Sequence, residues 1–211
     1  MVRPPLLLRA LFPGIIWHGD RNSRTVHLTF DDGPDPVVTP QVLDMLARYN
    51  ARATFFCVGA NVEAHPHLVD SILREGHALG NHTWSHRRGW GTALDDYQHD
   101  VERAAACIPS RLFRPPYGRI SLGQYHRLRR QYRVVMWDVL SYDWKPERSP
   151  QQVARTVIKA LRPGSVVVFH DSPKAAPRML PALQRVLEHL KQHGLHSVPV
   201  SYTHLTLPTK A

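Results

Sequence analysis

The stretch Thr25-Val26-His27-Leu28-Thr29-Phe30-Asp31-Asp32-Gly33-Pro34 joins a strand-like run to two adjacent carboxylates and a Gly-Pro turn. Its β-branched and aromatic residues are typical of a strand. Thr39 and Pro40 follow as a predicted N-cap and first helical residue. The stretch therefore predicts one strand–loop–helix unit. Because neighbouring side chains on extended backbone point to opposite sides, Asp31 and Asp32 could take different roles.

The same alternation continues along the chain and predicts its fold. Further strands are predicted at residues 53–58, 78–81, 112–113, 134–137 and 165–169. Helical apolar spacing lies around residues 68–76, 94–106, 122–131, 153–161 and 179–190. Such alternation favours a parallel sheet with outer helices. Because 211 residues are fewer than the roughly 250 of a full barrel, we expect an α/β fold, a distorted (β/α) barrel with fewer than eight complete units. An open doubly wound sheet is the alternative.

The chain is strongly basic but otherwise ordinary in composition. Hydrophobic residues make up 43% and charged residues 21%, as in globular domains. The formal charge of +10 raises the question of an anionic partner, namely nucleic acid, a membrane surface or an acidic cell-wall polymer. The basic residues are spread out, and the densest group, between Arg127 and Arg133, has the spacing of a solvated helix face. We expect no nucleic acid partner; a nucleic acid binder is an alternative that rests on charge alone.

Residues 25–199 form the predicted domain, and the two flanking segments differ from it. Residues 1–24 hold an apolar run broken by Arg9 and Pro13, too short for a membrane span of roughly 20 residues, and we expect the segment to pack on the domain. Residues 200–211 resemble the translation of a library adapter, so a non-native tail is expected. Without a clear signal peptide or transmembrane helix, the cytoplasm and the cell envelope both stay open. We expect a monomer, with Cys57 as a core residue.

Unusual polar residues occur where the predicted strands end. The carboxyl ends of parallel strands gather at one face of the fold, where active sites form. Five separate segments are therefore expected to converge on one rim. Their polar residues are Asp31 and Asp32, His82 and His86, Arg114 to Tyr117, Asp138 and Asp143, and His170 and Asp171.

His82 and His86 have a spacing that suits a metal ion. On a helical or tightly turned backbone, residues four apart face the same way and can reach one ion. Two histidines with one carboxylate leave coordination positions open, as in catalytic zinc sites. The alternative is an incidental pair, since the chain holds 14 histidines.

Arg114 and His170 each allow a structural and a catalytic interpretation. The prolines at 115 and 116 exclude a regular helix there. Arg114 is either a surface residue of a turn or it orients a carboxylate, with the Tyr117 peptide N–H as an oxyanion donor. His170 ends the apolar run Val166–Phe169 and is either a buried, satisfied histidine or a proton donor, because imidazole titrates near neutral pH.

Five segments, in order, resemble the motifs of the polysaccharide deacetylase family, the NodB-homology group of carbohydrate esterase family 4. They are Thr-Phe-Asp-Asp-Gly-Pro at 29–34, His-Thr-Trp-Ser-His at 82–86, Arg-Pro-Pro-Tyr at 114–117, Asp-Trp at 143–144 and Val-Val-Phe-His-Asp at 167–171. The resemblance covers about Thr25 to Pro199. It implies a NodB-type barrel and a metal-dependent hydrolase that removes N-acetyl groups from a chitin-like or peptidoglycan sugar polymer or oligomer, releasing acetate.

The resemblance also implies a role for each matching residue. Asp31 would be the general base, oriented by Arg114. One divalent ion, usually Zn²⁺ with Co²⁺ or Mn²⁺ as alternatives, would be held by Asp32, His82 and His86. His170 would be the general acid, oriented by Asp143. The substrate would meet the Tyr117 N–H and an acetyl pocket formed by Trp144 and Val168.

One position departs from the family pattern, and two other functions were weighed. Leu140 stands three residues before Asp143, where the family often has an aspartate, which leaves the polymer open. A glycosidase would need carboxyls about 5–9.5 Å apart across the scissile bond, which adjacent aspartates serve poorly. A non-catalytic polysaccharide binder on the same fold is the remaining alternative.

Overall fold

The structure, a computed structural model, describes residues 12–200 and has a parallel sheet at its centre. Seven strands lie in the order β5-β4-β3-β2-β1-β7-β6, and β8 pairs with the start of β1. The strands are β1 (Thr25–Asp31), β2 (Ala53–Cys57), β3 (Ala78–Asn81), β4 (Leu112–Phe113), β5 (Arg133–Val134), β6 (Val139–Leu140), β7 (Val166–His170) and β8 (His196–Ser197). The helices are α1 (Val38–Arg48), α2 (Gly59–Ala64), α3 (Pro66–Arg74), α4 (Leu94–Ala105), α5 (Leu122–Leu128), α6 (Pro150–Ala160) and α7 (Ala176–Gln192). The predicted distorted (β/α) barrel with fewer than eight complete units is confirmed.

The alternating residues of β1 divide the molecule into a core side and a barrel side. Phe30 belongs to the main hydrophobic cluster, where its ring stacks on Phe55 and Phe169 at centroid distances of 5.1 and 6.0 Å. On the other side, Thr29 and Asp31 are buried polar residues that face the barrel interior. The strand therefore ends with a carboxylate on the inner side of the sheet.

The segment before β1 joins two distant parts of the sheet. Ile16 pairs with Val135 just after β5, and His18 pairs with Ser165 just before β7. Residues 12–24 of the predicted N-terminal segment are described in this position, whereas residues 1–11 lie outside the described part. Of the predicted tail, Val200 is buried and its N–H donates to the Thr54 hydroxyl at 2.8 Å. Residues 201–211 lie outside the described residues.

Several element boundaries differ from the sequence prediction. Helix α1 begins at Val38, because the Asp35 carboxylate accepts the N–H groups of Val37 and Val38 at 2.9 and 2.8 Å. Thr39 is therefore not the N-cap, and it lies inside the helix. Helix α5 ends three residues before the predicted position, and α2, β6 and β8 were not predicted. Within residues 12–200, no helix has the length and apolarity needed to cross a membrane.

The predicted strand 134–137 is much shorter, and this displaces Asp138 from the rim. The carbonyl groups of Val135 and Met136 accept hydrogen bonds from the Arg114 side chain, at 3.2 and 3.0 Å, and not from a full neighbouring strand. Asp138 lies beside the start of β7, where it accepts from the Val166 N–H at 2.8 Å and pairs with Arg21 at 2.7 Å. The placement of Asp138 on the rim was therefore wrong. Cys57 is fully buried, as predicted.

Candidate active site

Asp31 and Asp32 point in different directions because the chain turns between them. Asp31 is the last residue of β1, whereas Asp32 has a φ of 81°, in the left-handed region that residues with a Cβ rarely adopt. The following Gly33 donates its N–H to Asp171 at 3.1 Å, and a Cβ at Gly33 would collide with that carboxylate. The division between the two carboxylates thus comes from a strained turn and not from the alternation of an extended strand.

Asp31 is held by a fully buried arginine. Arg114 donates to Asp31 Oδ1 at 2.6 Å and to the Thr29 hydroxyl at 2.7 Å, with its guanidinium carbon 4.1 Å from the Phe56 ring centroid. Its other two donor groups bind the backbone carbonyls that end the short β5 region. All three nitrogens of this guanidinium donate hydrogen bonds and one of its faces lies against an aromatic ring. Arg114 therefore fixes the position of one Asp31 oxygen.

Asp32, His82 and His86 bring three ligand atoms to one point. Each residue offers one atom, and these atoms lie within 4.8 Å of one another. The Nε2 atoms of His86 and His82 lie 3.1 and 3.8 Å from Asp32 Oδ1. Tetrahedral ligands at 2.0–2.1 Å from zinc are about 3.3 Å apart, so the donor set fits a divalent ion of this size. The pair does not lie on a helix, since Thr83 and His86 have φ values of 64° and 55° and the chain turns tightly between them.

The protonation of these residues also suits a metal ligand set. His82 Nδ1 lies 2.7 Å from the Arg114 carbonyl, which as an acceptor requires the proton on Nδ1 and leaves Nε2 free to bind. Burial lowers the pKa of His82 to about 4, so the ring is neutral at physiological pH. Burial alone would raise the pKa of Asp32, but the hydrogen bond with His86 and the positive charge of His170 hold it well below its usual value.

His170 faces the cleft from the end of β7 and is paired with a buried carboxylate. Its Nδ1 lies 2.8 Å from Asp143 Oδ1, and its backbone N–H donates to Asp143 Oδ2 at 2.8 Å. Burial opposes the charged ring, yet the charge and hydrogen bond of Asp143 raise the pKa of His170 to about 9. Because β1 and β7 are in register at Asp31 and His170, the two residues occupy neighbouring strand ends.

A cleft of about 690 Å³ gathers the predicted residues. The eight that line it are Asp31, Asp32, His82, His86, Tyr117, Trp144, Val168 and His170. The other two, Arg114 and Asp143, lie behind Asp31 and His170. Tyr117 has a φ of 60°, and the hydrogen bonds of its turn are donated by the next two residues, Gly118 and Arg119. The structure thus brings together all ten residues, while their roles remain proposals.

Seven further residues line the cleft and were not predicted as site residues. Apart from Leu140 in β6, they lie in loops and turns between the named helices and strands. For Leu140 the sequence did hold a signal, because it departs from the family pattern, and in the structure it pairs with Val168 across β6 and β7. The seven are Arg88, Gly118, Arg119, Trp137, Leu140, Ser172 and Lys174.

Comparison with known proteins identifies the family. A family model described as polysaccharide deacetylase matches residues 18–132. A peptidoglycan-N-acetylglucosamine deacetylase of Bacillus cereus is 33% identical over 195 residues, covering 89% of this chain and 91% of the relative.

Two solved structures share the fold over most of their length. The crystal structure of the Bc1960 peptidoglycan N-acetylglucosamine deacetylase, bound to an N-hydroxybenzamide compound, has a TM-score of 0.86 and 32% identity, covering 93% of this chain and 95% of the other. A family 4 acetyl xylan esterase of Clostridium thermocellum, in complex with a cobalt ion, has a TM-score of 0.76 and 31% identity, covering 83% and 87%. With the motifs, the fold and the extent of these matches in agreement, the chain belongs to the polysaccharide deacetylase family.

Proposed function

We propose that the chain is a metal-dependent hydrolase that removes N-acetyl groups from an N-acetylated sugar polymer or oligomer and releases acetate. The observation that carries this proposal is the meeting of three functional groups in one cleft. These are the Asp31–Arg114 pair, the ligand set of Asp32, His82 and His86, and the His170–Asp143 pair. A hydrolysis of an amide needs a base, an electrophile and an acid, and each of these groups supplies one.

The residues on the attacking side would bind and activate water. Asp32, His82 and His86 would hold a divalent ion, which when bound would supply Lewis-acid chemistry at the amide carbonyl and at water; Zn²⁺ suits the donors, with Co²⁺ or Mn²⁺ as alternatives. Asp31 accepts the proton that the attacking water loses. Because Arg114 fixes Asp31 Oδ1, the carboxylate keeps a constant position during attack.

The residues on the leaving side would complete the reaction. The Tyr117 N–H would donate to the oxyanion of the tetrahedral intermediate, and one such donor contributes roughly 2.7–4 kcal/mol. His170 Nε2 would protonate the amine as it leaves, while Asp143 holds the proton-bearing Nδ1. Trp144, whose ring centroid lies 4.8 Å from that of His170, and Val168 would form the acetyl pocket.

The comparisons support peptidoglycan as the polymer. The B. cereus relative and the Bc1960 structure are both named for peptidoglycan N-acetylglucosamine deacetylation. We propose that the protein acts on such a substrate at the cell envelope, as a monomer. Chitin-like oligomers remain useful neutral substrates for testing the chemistry.

A non-catalytic binder and a glycosidase are less well supported. A binder has no need for a buried arginine that orients a carboxylate or for a histidine–aspartate pair beside it. A glycosidase would need two free carboxyls on either side of a bond. Here Asp32 faces His82 and His86, which leaves Asp31 as the one carboxylate available for proton transfer.

The products distinguish these functions directly. Incubated with Zn²⁺ and peptidoglycan glycan oligomers, the purified protein is expected to release acetate and to create free amines in equal amounts. Acetate can be assayed enzymatically and amines by fluorescent labelling. New reducing ends without acetate would indicate a glycosidase, and binding without either product would indicate a non-catalytic binder.

The pH dependence of activity is expected to report the His170–Asp143 pair. An acid must carry its proton, and the raised pKa of about 9 keeps His170 protonated below that value, so activity should fall as pH rises through it. A bound metal ion adds positive charge near His170 and favours the neutral ring. In the metal-loaded protein we therefore expect the alkaline loss of activity at or below about pH 9. Asp143→Asn removes the carboxylate that raises the pKa and should move the alkaline limb to lower pH. An unmoved limb in a kcat/KM profile would contradict the acid assignment.

A further inference from the structure

Three cations line the cleft without a carboxylate partner. Arg88, Arg119 and Lys174 are exposed at its edge. Within residues 12–200, none of them takes part in an ion pair, although other basic residues do. Arg87, directly before Arg88, turns instead towards Asp100, at 3.9 Å. Arg87 therefore makes a structural contact, whereas Arg88 lines the cleft.

The backbone segments that carry Arg88 and Arg119 lie side by side. Gly89 donates its N–H to the Arg119 carbonyl at 3.1 Å, and the Trp90 indole donates to the Ile120 carbonyl at 2.9 Å. The Gln124 side chain donates to the Gly89 carbonyl at 2.9 Å and to the Thr92 carbonyl at 3.0 Å. These contacts fix the two backbone segments that carry Arg88 and Arg119 relative to each other.

Exposed aromatic rings lie beside the same arginines. Tyr117 is 63% exposed at the cleft, and Trp90 is 55% exposed. The Arg119 guanidinium carbon lies 5.6 Å from the Trp90 ring centroid. Large exposed aromatic surfaces are typical of binding sites, and Trp90, which lies beside Arg119, extends this surface beyond the residues that line the cleft. A glycan longer than one sugar would cross this surface.

The charge of the cleft favours an anionic group on that glycan. Its two carboxylates are already engaged, Asp31 by Arg114 and Asp32 by the ligand histidines. They therefore do not neutralise the rim cations, and a bound divalent ion would add further positive charge. A cleft lined by one sign of charge concentrates ligands of the opposite sign.

We propose that Arg88, Arg119 and Lys174 form an anion-binding rim that selects N-acetylated glycans carrying carboxylate groups over neutral ones. A guanidinium group can bind a carboxylate through two parallel hydrogen bonds, and Arg88 and Arg119 each supply one such group. Lys174, in the loop after β7, would meet a carboxylate on the His170 side of the cleft. The inference rests on the proposed deacetylase function and specifies its substrate class.

The test compares two matched glycans. One is a peptidoglycan glycan oligomer freed of peptide, whose lactyl groups end in carboxylates, and the other is the same oligomer with those carboxylates reduced to alcohols. The Arg88→Gln/Arg119→Gln variant is expected to lose roughly tenfold of the wild-type preference for the carboxylate form, measured as the ratio of the two kcat/KM values. Lys174→Gln should lower the same ratio, and raising salt from 50 to 200 mM should lower it in the wild type.

The control removes two positive charges elsewhere. Arg155→Gln/Arg185→Gln takes them from the exposed surfaces of α6 and α7 and should leave the ratio unchanged. Equal turnover of both glycans by the wild type, or an equal loss on both in the rim variants, would overturn the anion-binding rim while leaving deacetylation intact. Failure to release acetate from either glycan and from chitin oligomers would instead overturn the proposed function.

Discussion

Replacing Asp31 by asparagine is expected to lower kcat/KM for acetate release by on the order of 10²–10⁴. Asparagine has nearly the same shape and its amide oxygen can still accept from Arg114, but it cannot take a proton from water. The ligand set of Asp32, His82 and His86 is untouched, so the variant should bind metal as the wild type does. This variant is therefore expected to lose activity while keeping its metal content.

The measurement needs both quantities from the same sample. Metal is determined by mass spectrometry after gel filtration, and acetate release is followed at saturating metal. Asp70→Asn, which changes an exposed carboxylate on α3, serves as the control and should keep full activity. If Asp31→Asn deacetylates at the wild-type rate, Asp31 is not the base.

Replacing His86 by alanine is expected to weaken metal binding by at least about 100-fold. Loss of a group that merely orients a ligand costs 10–100-fold, and loss of the ligand itself should cost no less. His86 suits this test because it is partly exposed, so its removal leaves a small packing defect. His82→Ala should lose metal too, and it should also lower the free energy of unfolding, because it removes a buried ring and the Arg114 carbonyl loses its partner.

Competition with a chromophoric chelator measures these affinities. His99→Ala, at an exposed histidine on α4, is the control for histidine loss and should match the wild type. Activity of His86→Ala should recover in part at high metal concentration. Wild-type metal affinity in both His82→Ala and His86→Ala would show that the ion, if bound, lies elsewhere.

The sequence predicts the site well where a strand ends beside it. Asp31, His82 and His170 follow runs with clear strand patterns, and the geometry of parallel sheets brings such ends together. The divergence of the Asp31 and Asp32 side chains was also predicted, but its cause was not. It depends on the left-handed backbone at Asp32, and the residue types of the turn do not predict that conformation.

Where side chains compete with the sheet for backbone partners, the sequence predicts poorly. The apolar run at 134–137 has a strand pattern, yet Arg114 occupies the carbonyl groups of Val135 and Met136. The strand stops early and Asp138 turns to the start of β7. Nothing within the run itself indicates that contact, because its partner lies about twenty residues earlier in the chain.

The same limit applies to the walls of the cleft. Arg87 and Arg88 are identical residues in adjacent positions, yet Arg87 faces Asp100 and Arg88 lines the cleft. Local patterns specify which residues can do chemistry, whereas the loops decide which surface meets the substrate. The residues proposed for catalysis were therefore predictable, and those of the proposed anion-binding rim were not.

The most direct test of the account is a titration of the chelated, metal-free protein with Zn²⁺ during acetate release from peptidoglycan glycan oligomers. We expect no acetate before metal is added, a linear rise in rate up to one equivalent of Zn²⁺, and no further rise beyond it. In the His86→Ala variant the rise should shift to much higher Zn²⁺. Acetate release that is independent of metal, or no acetate at one bound equivalent, would contradict the assignment of a metal-dependent deacetylase.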